Sequence, residues 1–269
     1  MRRTLSRVLI GVVVAVALLF PVGALFLALL TPGIDLTSAL RQPPSFHGFV
    51  ALTSGSNESR MLWRAIAWSS VYSIVVGASV AVALMMILPS AAIPALRSLR
   101  DRCDYLFALS VMPATYFLTP LSIVIVALVA QPTNPARAFL VLASEFLLLT
   151  PLVVWIAVRL YGNNVAELMR QAALDGLTPF AALLMLGIQL RRELLAMSLV
   201  SAALSWGNYS VPLYLANADT KSGALAVAAL SSHLGTDWAL VGAGASLLTL
   251  PAVLSGVAAA VLLDRRSRG

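Results

Sequence analysis

"AIAWSSVYSIVVGASVAVALMMIL", residues 65–88, carries no charged side chain between Arg64 and Pro89. A helix of about 20 largely apolar residues crosses a bilayer, and this stretch is long enough. Five more segments share the character: Val8–Leu30, Tyr105–Ala130, Ala138–Leu160, Leu194–Ala216 and Ala239–Leu263. The expected fold is therefore all-α, a polytopic membrane protein with six transmembrane helices in a single domain over residues 1–269. The first run is longer than the about 7–15 apolar residues of a secretory signal, and no convincing cleavage site follows it. It reads as a retained helix.

Composition points the same way. Of 269 residues, 60% are hydrophobic and 11% charged, and the mean hydropathy is +0.92. A soluble domain carries about 25% charged residues, so this chain lacks the polar surface to cover one. The net charge of +7 does not mark a nucleic-acid partner, because the basic residues sit scattered at the ends of apolar runs. Cys103 is the only cysteine, so no internal disulfide forms. His47 and His233 have no second ligand at metal spacing and read as ordinary loop or interface histidines.

The arginines set the orientation. With the N-terminus inside, the inner segments hold Arg2, Arg3, Arg7, Arg97, Arg100, Arg102, Arg159, Arg170, Arg191, Arg192, Arg265, Arg266 and Arg268. Only Arg41, Arg60, Arg64, Arg137 and Lys221 fall outside. By the positive-inside rule both termini are cytoplasmic, and residues 161–193 form a cytoplasmic loop between spans four and five. Outside lie a polar segment over residues 31–64 with the turn-forming "QPPS", and a loop over about residues 217–238.

Within the cytoplasmic loop, "NNVAELMRQAALDG" reads as a short helix that Asn164 caps at its start. Val165, Leu168 and Ala172 share a face at spacings of three and four. Gly176 supplies the left-handed residue that ends helices. Thr178 and Pro179 then open a second helix as N-cap and first helical residue. The result is a doubly capped elbow leading into span five. Such an elbow either rests on lipid headgroups or docks into a partner's groove.

Residues 167–180, "ELMRQAALDGLTPF", resemble the EAA loop of permease subunits in bacterial binding-protein-dependent ABC importers. Glu167, Leu168, Ala172, Asp175, Gly176, Thr178 and Pro179 match common choices of that family, whereas Arg170, Gln171, Leu177 and Gln189 depart from its pattern. "SWGNYSVPLYL", residues 205–215, is similar to the family's conserved stretch on span five through Trp206, Tyr209, Pro212 and Leu213. "GTDWALVGAGASLLTLPAVL", residues 235–254, resembles the last span of the carbohydrate branch, nearest to its maltose-type second permease.

The resemblance implies a type I ABC importer permease fold in the bacterial cytoplasmic (inner) membrane. It also implies a second permease subunit in a heterodimer, two ATPase subunits and an extracytoplasmic solute-binding protein. Glu167, Leu168, Arg170, Ala172, Asp175, Gly176, Thr178 and Pro179 would then form the ATPase-coupling site. ATP and Mg would belong to the partner ATPase, with no cofactor in this chain.

A nucleotide-binding chain needs a Gly-rich loop ending in Gly-Lys-Ser/Thr. The only lysine, Lys221, follows Thr220 and maps to the outer side. No Ser-His-Asp, Cys-His or paired-carboxylate pattern stands out, so the chain is not expected to be an enzyme. Energy would come from another subunit.

Glu145 is an acid inside span four, where a charge costs about 2.5–3.5 kcal/mol on insertion scales. It is either an acceptor on the solute path, a proton carrier, or a group bonded to a neighbouring helix or reaching the interface. Ser198, Ser201, Ser205 and Asn208 form one polar face of span five at steps of three, four and three. They either line a path, with Trp206 or Tyr209 to stack on a sugar, or pack helices closely. Glu145, Ser201, Ser205, Trp206, Asn208 and Tyr209 are the candidate substrate-path residues. Gly242, Ser246 and Gly256 read as packing. Pro113, Pro120, Pro151, Pro212 and Pro251 should kink or interrupt spans, as in moving transporters.

The expected function is the permease subunit of an ATP-driven importer that moves a sugar or sugar derivative by alternating access. The alternatives are an ABC permease for another solute class such as polyamine or phosphate, a proton-coupled secondary transporter using Glu145, and a non-transporting membrane scaffold.

Overall fold

The computed structural model describes residues 22–29, 41, 43–89, 134–208, 210–216, 220–231 and 237–264. Among them there are helices and no strand. In chain order these are α1 (residues 22–28), α2 (His47–Thr53), α3 (Asn57–Ile87), α4 (Asn134–Leu174) and α5 (Pro179–Gln189). They continue with α6 (Arg191–Trp206), α7 (Ser210–Leu215), α8 (Gly223–Ser231) and α9 (Trp238–Asp264).

Four stretches are long and apolar enough to cross a membrane: Asn57–Ile87, Ala136–Val158, Arg191–Leu213 and Trp238–Leu262. They coincide with the expected spans two, four, five and six. Their outer faces are apolar too. On α9, Leu250, Val253, Leu254, Val257 and Val261 are all exposed, as are Ile74, Val82 and Met86 on α3. A water-soluble monomer rarely exposes so much contiguous apolar surface, whereas lipid requires it. The chain has the build of a multi-pass membrane protein. The expected span three and all but residues 22–29 of span one lie outside the described residues, as do both termini.

The chain divides into two compact units. The first comprises the residues up to Trp68 together with Lys221–Pro251. Its core gathers Leu52, Leu62, Ala65, Ala226, Leu230, Leu240, Val241 and Ala243. Part of the segment expected as a polar outer loop is helical, because α2 and the first turns of α3 fall within residues 31–64. Ser59 donates its hydroxyl to the Leu52 carbonyl, and Trp63 Nε1 donates to the same oxygen at 3.0 Å. These bonds fold α2 back on α3. At Gly48 a Cβ would lie 2.2 Å from the Ala239 carbonyl oxygen, so only glycine lets α2 sit against the start of α9. Asp237 caps α9 by accepting from the amides of Ala239 (3.0 Å) and Leu240 (3.1 Å), while its other oxygen lies 3.7 Å from His47 Nε2.

The second unit comprises Ser69–Thr220 and the residues from Ala252 onward. Its core is built from stripes at a spacing of four. Val76, Val80, Leu84 and Leu88 face Leu149, Val153, Ala157, Tyr161 and Val165, with Leu186, Leu190, Leu194 and Met197 completing it. Such rows are the ridges by which helices interlock. α4 packs against α5, α6 and α7.

Two expectations need correction here. Asn164 is not an N-cap. It is an exposed residue inside α4, which runs unbroken for 41 residues from the apolar span into the elbow. The buried stripe Leu149, Val153, Ala157, Tyr161, Val165 continues through that point, so packing keeps the helix going past Gly162 and the two asparagines. Span five is not one helix. α6 stops at Trp206 and α7 resumes at Ser210. Gly207 ends α6, and Pro212 has no amide to extend the ladder backwards, yet is harmless in the first turn of α7. Of the prolines expected to kink or interrupt spans, Pro151 and Pro251 lie inside helices that continue past them.

Candidate functional site

The elbow forms around Gly176. Its φ of +68° is the left-handed conformation that glycine adopts without strain. The Leu177 amide reaches back to the Ala172 carbonyl at 3.0 Å, and the Gly176 amide to Ala173 at 3.2 Å. This pair of bonds is the Schellman helix ending. Two residues on, Thr178 is extended, and its Oγ1 accepts from the Ala181 amide at 3.3 Å. Pro179 occupies the first helical position. Asp175–Thr178 is thus the whole connection between α4 and α5, and both helix ends are satisfied.

Of the residues named for coupling, Glu167, Arg170, Asp175, Gly176, Thr178 and Pro179 are exposed together at this tip. Leu168 is half-buried and Ala172 buried, and Leu168 packs with Val165 in the core of the second unit. Arg170 binds Glu167 through two bonds, Nε to Oε2 at 3.2 Å and an Nη to Oε1 at 2.8 Å. Gln171 Nε2 adds a bond to Oε1 at 3.4 Å. Arg170's hydrogen bonds and charge hold the Glu167 carboxyl below its ordinary range. Beside this charged pair stand two exposed apolar side chains, Leu174 (76% exposed) and Phe180 (73%).

A second constellation lies within the second unit. Glu145 on α4 is fully buried, and Ser205 on α6 donates its hydroxyl to Oε2. The other oxygen, Oε1, has no hydrogen-bond partner among the described residues. Tyr72 on α3 is buried, and its hydroxyl donates to the Thr220 carbonyl at 3.0 Å. Glu145 therefore bonds a neighbouring helix.

The other path residues are less unified. Ser201 is buried and donates to the Met197 carbonyl of its own helix at 2.8 Å. Ser198 packs against Gly77, where a Cβ would lie 2.9 Å from the Ser198 carbonyl oxygen. Trp206 is buried, Asn208 is half-buried, and Tyr209 lies outside the described residues. Gly242 admits the backbone of residues 27–28, whereas Gly256 faces open space.

Sequence reading passed over Tyr72. The signal was there in "SSVYS", residues 69–73, a polar run inside an otherwise apolar span. Among the described residues no three His, Cys, Asp or Glu side chains gather as a metal site. No protein-family model matches the chain, and no curated protein matches it either.

Proposed function

We propose that this chain is the membrane permease subunit of a bacterial ATP-driven ABC importer. The observation that carries the reading is the elbow. It is a rigid, doubly capped turn outside the apolar spans, with an exposed patch of charged and apolar side chains at its tip. A spanning helix passes into it without a break. A motor subunit that gripped the tip would have a direct handle on the membrane helices.

In this reading a separate ATPase takes Glu167, Arg170, Asp175, Thr178 and the neighbouring apolar residues into a cleft. ATP binding closes the ATPase pair, the elbow follows, and the helix bundle turns from inward-open to outward-open. A solute-binding protein delivers the cargo, and hydrolysis resets the cycle. The resemblance of residues 235–254 to the carbohydrate branch supports a sugar or sugar derivative as cargo. The spans would lie in the cytoplasmic membrane with both termini inside, beside a second permease.

The test is a crosslink from Thr178→Cys in native membranes, with the attached chains identified by mass spectrometry. An ATPase joined at that position is expected. A complex that contains no ATPase under any condition defeats the reading.

A second reading has one observation of its own. Glu145 is a buried carboxyl with an unpartnered oxygen, which suits a proton carrier in a secondary transporter. Uptake would then collapse with an uncoupler while cellular ATP stayed high.

A further inference from the structure

α5 has two apolar stripes on opposite faces. Ala182, Leu186 and Leu190 point into the core of the second unit and are buried. Phe180, Leu184 and Ile188 point away from it and are 73%, 51% and 67% exposed. At 11 residues α5 is about 16 Å long, which is too short to cross a hydrocarbon layer about 30 Å thick. It is also too exposed on one side to be a core helix. Directly beyond it come Arg191 and Arg192, both exposed, at the first two positions of the membrane-crossing stretch Arg191–Leu213. Leu195, one turn further, is apolar and exposed again.

The order along this surface is therefore apolar, basic, apolar. A pair of arginines at the start of a spanning helix sits at headgroup level, with the aliphatic stems lying on apolar surface and the guanidinium groups at phosphate depth. That fixes the level of Leu184 and Ile188, which lie within two turns of the arginines. We infer that the outer stripe of α5 at Leu184 and Ile188 lies in the bilayer interface, where Arg191 and Arg192 bind the phosphates of anionic lipids. Charge complementarity selects the partner, because two adjacent exposed cations favour a lipid carrying net negative charge. The inference does not depend on the importer reading. It assigns the rear of α5 to lipid, and leaves the tip at Glu167–Phe180 for a protein.

The experiment places a fluorophore at Leu184→Cys or Ile188→Cys in a Cys103→Ser background, with Gln171→Cys as an exposed polar control. The protein is reconstituted in mixed vesicles of phosphatidylcholine and phosphatidylglycerol, with brominated acyl chains on one lipid at a time. Both α5 positions should be quenched by brominated lipid, and the control by aqueous iodide. Phosphatidylglycerol should be enriched at the α5 positions by about fivefold for each arginine. Arg191→Gln with Arg192→Gln should remove that enrichment. Iodide quenching at Leu184 and Ile188, shielding from both quenchers, or an enrichment that survives loss of the arginines overturns the inference. A photoreactive residue at Ile188 in the otherwise unaltered chain gives an independent readout. A phospholipid adduct supports the assignment, and a polypeptide adduct refutes it.

Discussion

Ser205 on α6 donates its hydroxyl to Glu145 on α4, and both side chains are buried, so one hydrogen bond ties two membrane helices together at an acid. Among the described residues Oε1 has no hydrogen-bond partner, and Ser205 is the partner of Oε2. Ser205→Ala should destabilise the protein by about 1–3 kcal/mol, the cost of an orphaned buried polar group. Adding Glu145→Leu should recover most of that loss, since replacing both partners by apolar groups removes the orphan. Thermal unfolding of the two single variants and the double variant in one detergent measures the coupling. Additive losses would show that the bond carries no stability.

The path-lining role of this region is read separately. Ser205→Ala with Asn208→Ala should lower solute uptake in membranes that hold a normal amount of folded protein. Unchanged uptake would remove these residues from the path.

Among the described residues two glycines have positive φ and no atom within 4 Å of an added Cβ, Gly55 at +70° and Gly176 at +68°. Alanine at either should cost about 1–2 kcal/mol, from backbone strain alone. On the importer reading proposed above, only Gly176→Ala should also reduce coupling between ATP hydrolysis and transport, because only Gly176 aims α5 from α4. Gly55→Ala is the matched control, and an equal coupling loss in both would remove the elbow's special role. Gly176→Pro should be more severe, with membrane insertion retained and coupling lost.

Gly77 lies where α3 meets α6. A Cβ there would lie 2.9 Å from the Ser198 carbonyl oxygen and 3.2 Å from Ala202 Cβ. Gly77→Ala should force the helices apart and cost about 1–3 kcal/mol, as overpacking does. Gly256→Ala meets open space and should stabilise its helix by up to about 1 kcal/mol. Parallel denaturation of both variants checks the contrast.

The Glu167 carboxyl is held below its ordinary range by Arg170. A depressed acid contributes its interaction above the unfolded pKa of about 4.3 and loses it as pH falls through the lowered value. The contact should therefore persist from neutral pH down through the ordinary glutamate range and fail only below it. NMR titration of the Glu167 side chain checks this, and Arg170→Gln should move its midpoint upward.

The local chemistry of the elbow was legible in the sequence because its signals are short-range. A glycine that must adopt positive φ, a threonine that caps, and a proline at the first helical position each act within four residues. The apolar runs were legible for the same reason, since lipid imposes length and composition on each span alone. What escaped depends on contacts distant in the chain. Asn164 looked like a cap, but the stripe Tyr161–Val165 is buried by α3 and α5, and packing overrode the local signal. Ser198, Ser201, Ser205 and Asn208 looked like one surface, but only the first three lie on α6. The structure gives them different partners: Ser201 its own backbone, Ser198 a glycine on α3, and Ser205 an acid 60 residues away. No periodicity in α6 could name those partners.

α4 joins the elbow to the buried acid as a single shaft. From Leu174 back to Glu145 is about 44 Å of uninterrupted helix at 1.5 Å per residue. Gly162 and Pro151 lie along it without breaking it. Torque applied at the tip is not absorbed by a joint on the way. It arrives at the Ser205 hydrogen bond, the first point where α4 is fastened to another helix through an acid, and that fastening either turns with the shaft or slips.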